Sequence, residues 1–269
     1  MVTDSTADLP PSWGQRYGIE VVPLRVLFGE ESFRDRVDLD EAEFFARLSK
    51  ARRLPTTSAP SPGDFAAVYE RLGRDCDGVI SIHIGAQLSG TVEAARLGAE
   101  SVPGLRVEVV DTRSVTMCVG FLCRLAAEAP SLDQALALVG ERLPKLGIIA
   151  LLDTLRYIEM GGRVGRAQAF LGTVLDLKPI LGVSDGVISP LDRVRTRSRG
   201  TERILSLLLE AAPLEQVAVM HGNAQAEAEE LGRRIESVLP ALEVQVAALG
   251  TVLATHTGPG ALGLAYIKS

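Results

Sequence analysis

The stretch ISIHIGAQLSGTVEAA, residues 80–95, decides the fold class. An aliphatic strand runs over Val79–Ile84, and Ser89-Gly90-Thr91 opens a helix expected over 91–102. A short buried strand, a turn of small residues and an amphipathic helix in immediate succession make a βα unit. The same alternation continues outward in both directions. Further strands are expected at Val2–Asp4, Glu20–Phe28, Arg106–Val110, Ile148–Leu152, Lys178–Val183, Val187–Val194, Gln216–His221, Glu243–Ala248 and Val252–Thr255. Further helices are expected over 115–128, 131–143, 200–211 and 224–238. Two more begin at caps, Asp38 with Glu41 and Ser61 with Asp64, the second carrying Pro62 at its first helical position.

This pattern reads as an α/β protein of two α/β lobes with mainly parallel sheets and a ligand site between or within them. Leu143-Pro144-Lys145-Leu146-Gly147 interrupts a helical pattern before a new strand. The lobes are therefore expected at 1–146 and 147–269, and a cleft between two such lobes is a usual ligand site.

Composition narrows the function. The 269 residues are 46% hydrophobic but only 4% aromatic, which suits an aliphatic core and lacks the rings on which single-stranded nucleic acids stack. A net charge of −6 disfavours phosphate polymers and anionic membranes. The three cysteines show no metal-ligand spacing and are expected as reduced thiols in a cytoplasmic protein, with no metal and no integral membrane segment. Residues 244–267 lack Asp, Glu, Lys and Arg, but glycines, a proline and His256 break that run.

Five stretches hold residues able to do chemistry. In PTTSAPSPGDF, residues 55–65, Thr56, Thr57, Ser58 and Ser61 either satisfy the backbone of a capping loop or receive an anion beside a helix N-terminus. Ser89, Gly90 and Thr91 open a helix at the carboxyl end of a strand, a good receptor for a carboxylate. Gln87 stands where a hydrolase nucleophile elbow has glycine, and neither a dinucleotide fingerprint nor a P-loop is present. In YIEMGGRVGR, residues 157–166, Gly161 and Gly162 aim Arg163 out of a turn. Arg193, Arg195, Arg197 and Arg199 fall at every second position, so a strand there puts all four on one face. That face is either a charged sheet edge or a surface for a phosphate-bearing partner. Finally, His256 lies between threonines at an expected strand end, before a Gly-Pro-Gly turn into a small-residue helix. His221 reads as a loop-forming residue, while His83 points into either the pocket or the core.

Taken in order, VTDSTADLP, TTSAPSPGDF, LSGT, VVDT, GGR, KPIL, VRTR and HTGPGALGLAY resemble the DegV family of bacterial fatty-acid-binding proteins, from Val2 to Tyr266. The resemblance implies a long-chain fatty acid buried between or within two lobes. It further implies that the carboxylate is held by Thr57 and Ser89, with Ser58, the N–H groups near Gly90 and Thr91, and His256 in the same site. Arg163 and His256 would correspond to the family's functional Arg and His, and Arg195 and Arg197 to a surface facing a fatty-acid kinase. The implied role is to present the acid to that kinase for acyl-phosphate formation and lipid synthesis, with no cofactor and no catalysis of its own. Where relatives often have Ser-Ser before the loop to LSGT, this chain has His83-Ile84. Burying about 14 methylenes at roughly 0.8 kcal/mol each would give about 11 kcal/mol gross, so the tail would supply most of the affinity. The rival reading is a serine hydrolase of lipid esters using Ser89 with His83 or His256.

Overall fold

The structure, a computed structural model, describes residues 1–170 and 177–269. Among these, the first half of the chain forms strands β1 (Val2–Asp4), β2 (Glu20–Val22), β3 (Arg25–Phe28), β4 (Glu31–Arg34), β5 (Thr56–Ser58), β6 (Gly78–His83) and β7 (Arg106–Asp111). The second half forms β8 (Leu146–Leu151), β9 (Lys178–Ser184), β10 (Val187–Val194), β11 (Leu214–His221), β12 (Val244–Ala248) and β13 (Leu262–Lys268). One sheet runs β2-β1-β6-β7 and is parallel throughout. A six-stranded sheet runs β10-β9-β8-β13-β11-β12, and β3 lies between β4 and β5 in a small antiparallel sheet.

The α/β class holds. Mainly parallel sheets are what the first half shows; in the six-stranded sheet only the β11–β12 ladder is parallel. Its central strands are nonetheless continuous aliphatic runs, because both faces are covered, and coverage dictates that composition whichever way the strands run.

The helices are α1 (Pro11–Tyr17), α2 (Glu41–Lys50), α3 (Pro62–Leu72), α4 (Thr91–Glu100) and α5 (Met117–Glu128), then α6 (Leu132–Arg142), α7 (Arg156–Met160), α8 (Arg197–Glu210), α9 (Gln225–Val238) and α10 (Thr251–Thr257). Phe65, Tyr69 and Ala95 seat α3 and α4 on one face of the parallel sheet, and Val119, Leu122 and Val139 seat α5 and α6 on the other. Ile204, Leu208, Leu231 and Ile235 cover one face of the six-stranded sheet. Its other face turns toward the first half, where Trp13, Met117 and Phe121 pack with Ile148, Leu181, Met220 and Ala265. The small sheet packs on α2 and α10 through Val26, Phe44, Val252 and Ala254.

Five local expectations need correction. Glu20–Phe28 is not one strand but two, β2 and β3, which lie in different sheets. Residues Val252–Thr255 are not a strand but part of α10, whose N-terminus is held from outside by two buried carboxylates, so tertiary contacts override β-branched propensity. The segment after Gly-Pro-Gly is strand β13, not a helix, because it pairs with β8 on one side and β11 on the other. Asp40, not Asp38, caps α2 by accepting the Glu43 N–H, while Asp38 pairs with Arg34. The alternating arginines do not share a strand face: β10 ends at Val194, Thr196 caps α8, and Arg197 and Arg199 lie in the first turn of that helix. The Ser61 cap is as expected, with Ser61 and Asp64 forming a reciprocal capping box.

Candidate ligand-binding site

Between the loops that follow β2, β6 and β7 of the parallel sheet and the inward face of the six-stranded sheet lies an apolar pocket. Its walls come from both halves of the chain, Leu24, Ile84 and Val115 from the first, Leu152, Leu181 and Met220 from the second. Its polar lining is gathered in Thr57, Ser58, Ser89, Gly90, Arg163 and His256, with Thr116 and Thr257. Among the described residues, Arg163 is the only lysine, arginine or carboxylate in the lining.

Each polar group is placed by local structure. Thr57 pairs with Val26 across the β5–β3 ladder and so shares the face that packs on α10. On that face its Oγ1 meets His256 Nε2 at 2.9 Å, although 199 residues separate them in sequence. Burial pushes His256 down to about 4, and the nearby Arg163 charge pushes in the same direction, so the ring is neutral at pH 7. Its Nδ1 is buried without a hydrogen-bond partner, facing Gly161, where an added Cβ would overlap that nitrogen. Gly161 thus owes its lack of a side chain to the His256 ring, whereas Gly162 needs its freedom for a φ of +72°.

At the start of α4, Ser89 Oγ and Thr91 Oγ1 are 2.8 Å apart; Ser89 and Gly90 line the pocket, and Gly90 caps the helix with no side chain, so no side-chain cap occupies its first-turn N–H groups. Arg163 reaches across to this loop, donating from Nε to the Leu88 carbonyl at 3.3 Å and from Nη1 to the Gly161 carbonyl. The structure therefore brings Thr57, Ser58, Ser89, Gly90, Arg163 and His256 to one pocket, with Thr91 bonded to Ser89 behind it. Arg195 and Arg197 are not in its lining. Arg195 is exposed, while Arg197 is half-buried against Glu227 at 2.7 Å and Asp153 at 3.6 Å.

The hydrolase reading lacks its base. Ser89 bonds to Thr91, His256 to Thr57, and His83 lies in the core. There His83 Nδ1 pairs with Asp4 Oδ2 at 2.9 Å and Nε2 with Ser81 Oγ at 2.7 Å, with Tyr69 next in the chain. That Asp-His-Ser order mimics a catalytic triad, yet all four residues have 0% exposure and offer no path for a substrate. The network ties the ends of β1 and β6 together, Asp4 also accepting the Ile84 N–H at 3.1 Å. His221 ends β11, almost buried, and desolvation pushes its imidazole down.

Two features escaped the reading of the sequence. Thr116, in the pocket wall, holds a φ of +55°, a strained conformation for a β-branched residue, and donates to Asp8 Oδ2 at 2.7 Å. Asp8 and Asp35 accept the Gly250 and Thr251 N–H groups, both at 2.8 Å, and so fix the start of the helix that carries His256. Burial pushes the Asp8 carboxyl up to about 7, offset in part by Arg36 and by these hydrogen bonds. Of these, Asp8 stands with Asp4 within VTDSTADLP, and no local pattern marks Asp35 or Thr116. Among the described residues no group of His, Cys, Asp and Glu could hold a metal ion, and no helix is long and apolar enough to cross a membrane.

Comparison with known proteins agrees with this architecture. The model of the DegV family matches residues 1–269. Protein DegV of Bacillus subtilis is 35% identical over 275 residues, covering 99% of this chain and 98% of the relative. A solved DegV-family structure from Thermus thermophilus, described as fatty-acid binding, superposes with a TM-score of 0.91 at 36% identity, covering 99% of this chain and 98% of that one. The structure of the Bacillus subtilis protein, described as a fatty acid binding protein, gives a TM-score of 0.91 at 34% identity, with 99% and 97% covered.

Proposed function

This chain belongs to the DegV family, and from that premise we propose that it binds one long-chain fatty acid, tail in the apolar pocket and carboxylate between Thr57 and Ser89. The observation that carries the reading is the pairing of each hydroxyl with a second group behind it. A neutral His256 that donates from Nε2 to Thr57 Oγ1 leaves the Thr57 proton free to point at a ligand. In the same way Thr91 can donate to Ser89 and direct its proton outward. Together with the α4 N–H groups this makes a receptor of neutral donors, suited to an anion whose affinity comes mainly from its tail.

A carboxylate held by hydroxyls rather than in a tight salt bridge keeps its nucleophilicity. Arg163, at the same end of the pocket, would offset charge on an incoming phosphoryl group. We therefore assign the protein a presenting role: a separate fatty-acid kinase phosphorylates the bound acid, and the acyl-phosphate passes to lipid synthesis. The exposed Arg195 and the half-buried Arg197 belong to the surface offered to that kinase. No cofactor is required of this chain, and the chemistry is the kinase's. We divide the chain at residues 146 and 147, so that the ligand lies between the two lobes. Three free cysteines, Cys76 among them exposed, suit the reducing cytoplasm.

The test is calorimetric titration of delipidated protein with palmitate. Saturable one-to-one binding with a negative heat-capacity change is expected. Absence of saturable binding would overturn the proposal.

A further inference from the structure

The pocket floor has a relief that the strand register makes explicit. Leu181 pairs with Ala150, Ala150 with Gly263, and Gly263 with Met220, so these four residues form one row across β9, β8, β13 and β11. Directly paired residues project from the same face, and all four line the pocket. The two central positions carry the smallest side chains and the flanking ones carry large aliphatics. The row is therefore a trough, deepest at Gly263.

A glycine inside a strand needs a reason, because it weakens the sheet by entropy and lost packing. The other glycines of the six-stranded sheet have one. A Cβ at Gly147 would overlap the Tyr266 ring, and one at Gly182 would come within 3.0 Å of Leu191. Gly263 differs: a Cβ there would meet nothing nearer than the Ile149 carbonyl oxygen at 3.7 Å, and its φ is not in the left-handed region. Neither packing nor backbone conformation calls for glycine at 263. The remaining reason for a bare strand position is the close approach of something else, and the pocket lies directly over it.

We infer that Gly263 is a specificity-determining residue: the acyl chain crosses the sheet over Gly263 and Ala150, between Leu181 and Met220, and the missing side chain sets how much chain the pocket accepts. The inference rests on the fatty-acid reading above. On one side of Gly263 lies Ala261, next to the loop that follows His256; on the other lies Ala265, buried in the cluster that contains Phe121 of α5. A chain anchored at Thr57 and Ser89 thus meets position 263 along its length. A side chain there should exclude the distal methylenes without touching the carboxylate site.

The test compares the intact wild-type protein with Gly263→Ala and Gly263→Val, titrated with dodecanoate, palmitate and stearate after delipidation. Wild type is expected to prefer the two longer acids. Gly263→Val should lose about tenfold or more in affinity for stearate while keeping dodecanoate within about twofold, and Gly263→Ala should shift the same way by less. The alanine methyl has ordinary clearance, so that variant keeps the comparison alive should valine disturb the sheet. Unchanged chain-length preference in folded variants would overturn the inference and leave the fatty-acid reading intact. Failure of the wild type to bind any of the three acids would overturn both.

Discussion

Asp8 Oδ1 accepts the Gly250 N–H at 2.8 Å, joining residues 242 positions apart at the start of the helix that presents His256 to Thr57. The contact leaves no slack: a Cβ at Gly250 would lie 3.1 Å from that oxygen and 3.0 Å from Asp35 Oδ2. Fatty-acid binding on this account depends on a buried acid that lines no part of the pocket.

That acid gives stability a pH signature. Asp8 is held up at about 7 against 3.8 unfolded, so its contribution is full below about pH 4 and is lost as pH rises through 7. His256, pushed down to about 4 from 6.5, acts in the opposite sense, its contribution being present above 6.5 and lost as pH falls through 4. Asp8→Asn keeps the acceptor for Gly250 but removes the proton equilibrium. Urea unfolding of both proteins across this range should show the variant gaining on wild type as pH rises, with a slope of up to about 1.4 kcal/mol per pH unit. A difference independent of pH would refute the assignment.

Thr57→Val preserves volume and deletes the hydroxyl that bonds His256 and that we assign to the carboxylate. Losing one donor to a charged acceptor is worth about 1.5–3 kcal/mol, so palmitate affinity should fall by tenfold or more. Ser89→Ala should weaken binding in the same direction. Titration calorimetry measures both, and wild-type affinity in either variant would exclude that residue from the carboxylate site.

Gly161→Ala should act on the same site from behind. Its φ of −71° suits alanine, so the effect isolates the overlap with His256 Nδ1. The expected outcome is a displaced His256 ring, visible as a shifted imidazole resonance, and a several-fold loss of palmitate binding. An unshifted resonance would show that the ring is not seated against residue 161.

Arg163→Ala should spare fatty-acid binding, because the guanidinium bonds to the carbonyls of Leu88 and Gly161, and impair phosphorylation by a fatty-acid kinase. Equal loss of binding in Arg163→Ala and Ser89→Ala would contradict this division of roles.

What the sequence revealed was local. The β6–turn–α4 unit and the Ser61 capping box depend on residues within a few positions of one another, and both formed where expected. The Thr57–His256 bond spans 199 residues, and no local pattern encodes it; resemblance to a family suggested the two residues, not their contact. α10 was misread because its β-branched run suits a strand, and the carboxylates that make it a helix are Asp8 and Asp35, far away in the chain. The alternating arginines failed for a different reason, since a period of two also fits a strand end followed by a capped helix start. Strand direction in the second sheet was hidden because burial on both faces erases the alternation that marks antiparallel strands.

The proposed ligand of this pocket is a single long-chain fatty acid. Mass spectrometry of the gently ionised protein, purified without delipidation, tests it directly. An added mass equal to one long-chain fatty acid is expected, lost on harsher activation and diminished in Thr57→Val. A protein that stays at its bare polypeptide mass, even after incubation with palmitate and stearate, would contradict it.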